Sequence, residues 1–116
     1  IEGWHLLVMV DIKQIEREIV ERLKPLDPKK IILFGSYAAG TADDNSDVDV
    51  FLVSDSQENT MEYQLRAMMR LKDLISKYRI GFDVLSASQA FLNSRQDYFY
   101  RVDILKNGKV LYAKQD

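Results

Sequence analysis

Phe34-Gly-Ser-Tyr-Ala-Ala-Gly-Thr-Ala-Asp-Asp-Asn-Ser-Asp-Val-Asp-Val-Phe-Leu-Val53 organises this 116-residue chain. Its first half ends the apolar run Ile31-Ile-Leu-Phe34, which is too short for a helix and bounded by breakers, so it predicts a strand buried on both faces. Gly35 is the turn, Ser36 to Ala39 fits a short helical turn ending at Gly40, and Thr41 to Ser46 is loop-like. In the second half Val48, Val50 and Leu52 alternate with Asp47, Asp49, Phe51 and Val53, the period of a strand.

That period carries chemistry. Residues two apart on a strand share a face, so Asp47 and Asp49 project together while Val48 and Val50 turn to the core. Two carboxylates in one small volume repel unless a positive charge lies between them. An all-oxygen ligand set suits Mg²⁺, or Mn²⁺ as the alternative. Alone, Asp-x-Asp also fits a solvated strand end. Asp83 is a third acid set in a strand-like pattern, Phe82-Asp-Val-Leu85, and a crossover helix over 60–78 could place it beside Asp47 and Asp49. Three such acids could hold two metal ions for an in-line phosphoryl displacement, and Asp83 could instead accept the proton of the attacking hydroxyl. Gly35 and Ser36 supply the other half: a glycine and a short helical start leave backbone N–H groups for a phosphate, and the Ser36 hydroxyl adds a donor. The pair equally fits a plain turn with a cap. It is neither a P-loop nor a dinucleotide fingerprint.

Around this stretch the chain alternates helix and strand. Ile12, Ile15, Ile19, Val20 and Leu23 recur at helical spacing over about 10–24, and Pro25 and Pro28 end that helix. Over 60–78, Leu65, Met68, Met69 and Ile75 lie on one side, Leu71 and Leu74 widen the face, and Gly81 closes the helix. Ser86 and Gln89 form a capping-box pair for a helix over 87–93. A further helix is expected over 97–106, and after Asn107-Gly108 a last strand at Val110-Leu-Tyr112. The fold class expected is α+β, a small mixed sheet covered by helices. Tyr37 fits base stacking or plain packing, and the aromatic tail (Phe91, Leu92, Tyr98, Phe99, Tyr100) fits core or a partner surface.

The length suits one domain. A net charge of −2 gives no strong nucleic-acid signal. The absence of cysteine excludes a thiolate metal site and suits a reducing compartment, so a cytoplasmic location is expected. No apolar run approaches the roughly 18 residues of a membrane span. The chain opens without Met, and residues 1–8 are read as a stub outside the domain, which then runs over 9–116.

Gly35-Ser36, ten residues, then Asp47-x-Asp49, with Asp83 as a third acid, resembles the signature of the DNA polymerase β-like nucleotidyltransferase superfamily. Small size, a leading helix and the tail Phe99 to Tyr112 resemble its minimal nucleotidyltransferases, the MNT proteins. The resemblance implies the polymerase β-like palm fold and transfer of a nucleoside monophosphate, AMP from ATP, to an acceptor hydroxyl. It implies Gly35 and Ser36 on the triphosphate, Asp47, Asp49 and Asp83 as catalytic acids and metal ligands, and two Mg²⁺ ions. It also implies a partner, a HEPN-domain toxin, for which the chain would be the antitoxin that binds and adenylylates it; a homo- or hetero-oligomer is compatible with the sequence, which does not decide between them. A non-catalytic module that masks the toxin, and a small-molecule enzyme of the aminoglycoside-modifying kind, are the alternatives. Many members read Gly-Ser-Arg-Ala-Arg-Gly where this chain has Gly35-Ser-Tyr-Ala-Ala-Gly40. Lys29, Lys30, Arg66, Arg70 or Arg79 would then have to replace the lost charge.

Overall fold

The computed structural model describes residues 2–55 and 60–115, with side chains from Ile12 onward. Helix α1 (Glu2–Leu23) is followed by a 3₁₀ turn (Lys24–Leu26), β1 (Lys30–Phe34), α2 (Ser36–Ala39), β2 (Val48–Ser54), α3 (Thr60–Tyr78), β3 (Phe82–Ser88), α4 (Gln89–Ser94), a π-helical turn (Phe99–Ile104) and β4 (Lys109–Ala113). The four strands form one sheet in the order β3-β2-β1-β4. β1 runs antiparallel to both neighbours, and β2 is parallel to β3. The expected mixed sheet is therefore present. A parallel pair needs a crossover of a dozen residues or more, and α3 supplies it.

Alternation along the strands divides the core in two. Ile31, Leu33, Val48, Val50, Leu52, Phe82 and Val84 face α1 and α3, where they meet Ile15, Ile19, Leu23, Tyr63, Ala67, Leu71 and Leu74. Ile32, Phe34, Phe51, Val53 and Ala87 face the other way, toward Leu92 and Ile104, with Phe99 and Tyr100 packed alongside. β1 is buried on both faces, as its unbroken apolar run predicts. Outside the core, Arg22 grips both carboxylate oxygens of Asp73, and Lys77 donates to Glu18 at 2.7 Å, tying α1 to α3.

Several details differ from the pattern read in the sequence. The buried stripe of α3 is Tyr63, Ala67, Leu71 and Leu74, whereas Leu65 and Met69 are 59% and 75% exposed. Hydrophobicity alone placed Leu65 and Met69 inside; the angular position on the helix, fixed by contact with α1 and β3, turns them out. α1 extends as helix to Glu2, well before the first residue of the apolar repeat. β3 runs on to Ser88, because its parallel pairing with β2 continues to Ser54. The cap of α4 is consequently Ser88, whose hydroxyl accepts from the Phe91 N–H, and not Ser86. The helix expected over 97–106 is a π-helical turn, with Leu105 N–H donating to the Tyr100 carbonyl at 3.1 Å and Asn107 N–H to that of Val102 at 2.8 Å. The wider turn lets two successive rings reach the sheet: Phe99 meets Phe34 edge-on at 5.9 Å, and Tyr100 meets Phe51 at 6.1 Å.

Candidate active site

The acids gather where the C-terminal end of β1 meets the N-terminal ends of β2 and β3. Asp49 is the cross-strand partner of Phe34 on one side and of Asp83 on the other. Asp47 precedes β2, which is anchored there by the Val48 N–H donating to the Gly81 carbonyl at 2.8 Å. Alternation places Asp47, Asp49 and Asp83 on the sheet face opposite α1 and α3. Asp47 and Asp83 are exposed, and Asp49 is half-buried. The crossover over 60–78 thus delivers the third acid to the side of the first two. The three do not close into a cage: among the described residues, no group of three acids or histidines is drawn together as a ready-made metal site. A hard cation such as Mg²⁺ is usually held by one or two carboxylates, with its other ligands coming from substrate phosphates and water.

Two glycines make room for the carboxylates. At Gly35 (φ +75°) a Cβ would fall 3.2 Å from Cγ of Asp49 and closer still to its Oδ2. At Gly81 it would fall 3.0 Å from Cγ of Asp47, and closer to Oδ1. Gly81 therefore does more than stop α3; the left-handed residue that ends the helix is Arg79, at φ 56°. Sequence reading missed this role, although a glycine just before an acid-bearing strand is a signal that could have shown it. Gly81→Ala keeps an ordinary backbone conformation but pushes the Asp47 carboxylate aside. We expect it to melt within a few degrees of the parent while any activity that relies on the Asp47 carboxylate drops about 10- to 100-fold, as for displaced catalytic groups. An unchanged activity in a steady-state assay would show that Asp47 has no fixed position to lose.

Burial, then the charges of Asp83 and Asp47, raises the Asp49 carboxyl above its ordinary value. A raised folded-state value means that the fold favours the proton, so this contribution to stability is full below the unfolded carboxylate range. It is lost as pH rises through the elevated folded value. At neutral pH the metal-free protein carries the cost of a crowded charge. Asp49→Asn should accordingly raise the melting temperature of the metal-free protein at pH 7 while removing activity, a stability–function exchange. A lower melting temperature by calorimetry would contradict the crowding.

Gly35 and Ser36 sit beside these acids. Ser36–Ala39 forms the expected single turn, capped by Gly40 in the left-handed region, and the N–H groups of its first residues have no partners inside the helix. Tyr37 packs against the α1/α3 core, and burial, then Asp43, Asp44 and Asp47, raises its hydroxyl value. Packing is its structural role. Of the basic residues named as replacements for the missing arginines, Lys29 pairs with Asp55 and Lys30 lies at the far end of β1. Arg70 donates to the Arg22 carbonyl. Arg79, two residues before Gly81, stands at the acid end of the sheet.

The family model for "Polymerase beta, Nucleotidyltransferase" matches residues 13–116. A Methanocaldococcus jannaschii protein named "Putative protein adenylyltransferase MJ0604" is 32% identical over 84 residues, 72% of this chain and 78% of that protein. A solved toxin–antitoxin structure with AMP-PNP superposes with a TM-score of 0.61 at 25% identity, covering 86% of this chain and 74% of its counterpart. A structure of a mutant of the toxin–antitoxin MntA-HpeT superposes with a TM-score of 0.58 at 22% identity, covering 86% and 74%, and shares the fold.

Proposed function

Because this chain belongs to the polymerase beta nucleotidyltransferase family, we propose that it transfers AMP from ATP to a hydroxyl on a protein partner. The partner we propose is a HEPN-domain toxin, for which the chain, with its single domain over 9–116, would be the antitoxin. The observation that carries the reading is the register: Asp49 opposite Asp83, with Asp47 one step away and Gly35-Ser36 alongside. The protein adenylyltransferase name of the M. jannaschii relative and the superposition on a toxin–antitoxin structure support the class of acceptor.

Asp47, Asp49 and Asp83 would hold Mg²⁺, which when bound neutralises charge on the phosphates and on the attacking and leaving oxygens. The chain's own groups do the rest. Gly35 lets the triphosphate approach the backbone, and the N–H groups and hydroxyl at Ser36 hold its oxygens. In the alternative role, Asp83, exposed on the edge strand β3, would instead take the proton of the acceptor hydroxyl as its oxygen attacks the α-phosphate and pyrophosphate leaves.

The test is transfer of label from α-labelled ATP to the purified partner, with Mg²⁺ present and absent. Labelling of the partner that requires Mg²⁺ is the expected result. In the same preparation Mg²⁺ with ATP should raise the melting temperature, by about 2.7 kcal/mol of stabilisation at a hundredfold excess over Kd. No labelling and no shift with any nucleotide would overturn the proposal.

A further inference from the structure

Resting on the triphosphate site just proposed, we infer that the groove between β1 and the π-helical turn receives the ribonucleoside, with Asp103 accepting a hydrogen bond from a ribose hydroxyl and Asn107 adding an amide contact. The groove encloses about 680 Å³, bounded by Phe34, Gly35, Ser36, Phe99, Asp103 and Asn107. That is a size typical of small-molecule sites, roughly 300–1,000 Å³. It opens directly from Gly35 and Ser36. One of its walls, Phe34, is the cross-strand partner of Asp49, which sets the groove beside the acid end of the sheet.

The polar lining fits a sugar better than a second phosphate. Asp103 is half-buried, and among the described residues its carboxylate has neither a hydrogen bond nor an ion pair. The Asn107 side chain likewise has no hydrogen-bond partner there. A carboxylate accepts hydroxyl protons and repels phosphate oxygens. Phe99, held edge-on against Phe34, adds an apolar wall. The backbone here is the π-helical turn, an uncommon local structure frequent at functional sites. Three residues that the chain would otherwise use for packing or solubility are thereby brought to the mouth of the Gly35-Ser36 turn. None of Asp47, Asp49 and Asp83 lines the groove, which leaves the open edge of the acids for the acceptor.

Calorimetric titration of the intact chain with Mg²⁺-ATP, its 2′-deoxy and 3′-deoxy analogues, and inorganic tripolyphosphate tests this. The parent should prefer ATP to at least one deoxy analogue. Asp103→Ala should weaken ATP about 10- to 100-fold, the worth of one hydrogen bond to a charged group, erase that preference, and leave tripolyphosphate unchanged. Asn107→Ala, at an exposed position, should weaken ATP by a smaller factor with the same selectivity, and a melting curve confirms that each variant is folded. Equal loss of ATP and tripolyphosphate, or loss of neither in both variants, would overturn the subsite while leaving the triphosphate site standing. A parent chain that binds neither ligand would overturn both.

Discussion

The double variant Asp47→Asn, Asp49→Asn should fold, melt at or above the temperature of the parent in the absence of metal, and lose nucleotidyl transfer by about a thousandfold or more. The size follows from what is removed. The proposed metal clamp would supply several kcal/mol of charge stabilisation, and each 1.36 kcal/mol is about tenfold in rate. The tolerance of the fold follows from position. Asp47 is exposed, and Asp49 is half-buried with raised proton affinity, so neither charge supports the sheet. The substitution keeps size and shape while cancelling the mutual repulsion. Measured transfer within tenfold of the parent would exclude these acids as the metal site. For the proposed toxin partner, neutralisation by the same variant is a separate test: if it persists while transfer is lost, binding rather than modification would silence that partner.

Phe51→Ala should have the largest effect on stability. Phe51 is 1% exposed, two residues beyond Asp49 on the same face, and meets Phe34 at 6.4 Å and Tyr100 at 6.1 Å. A buried Phe→Ala change typically costs about 3–5 kcal/mol, against a total domain stability of about 5–15 kcal/mol. The second core is small, and the π-helical turn packs on the sheet through it. Loosening it should carry Phe99, Asp103 and Asn107 away from Gly35. Phe51→Leu keeps most of the volume and should cost less than about 1.5 kcal/mol. Denaturant titrations that show equal losses for both substitutions would mean that ring volume is not what the site demands.

Much of the candidate site was legible because it depends on short-range periodicity. Two-residue alternation put Asp47 and Asp49 on one face, and the length of the 60–78 helix was enough to suggest the parallel neighbour that carries Asp83. Gly81 was misread because a glycine after a helix has an obvious local explanation. Its contact with Asp47 arises between segments more than thirty residues apart. The cap at Ser88 was misplaced for a related reason: the length of β3 is set by its partner strand, and local sequence offers two serines at similar spacing.

By itself, then, the sequence determined the order of the main helices and strands, the face shared by Asp47 and Asp49, and the turn at Gly35, because each follows from backbone geometry over a few residues. Only the tertiary structure decided that Asp49 lies opposite Asp83 and that glycines 35 and 81 clear space for the two carboxylates. It also turned Leu65 and Met69 outward and brought Phe99, Asp103 and Asn107 against the Gly35-Ser36 turn. Those are products of strand register and of how helices pack on a sheet. Both are selected by burying the two apolar faces at once, a condition that no local stretch of sequence expresses.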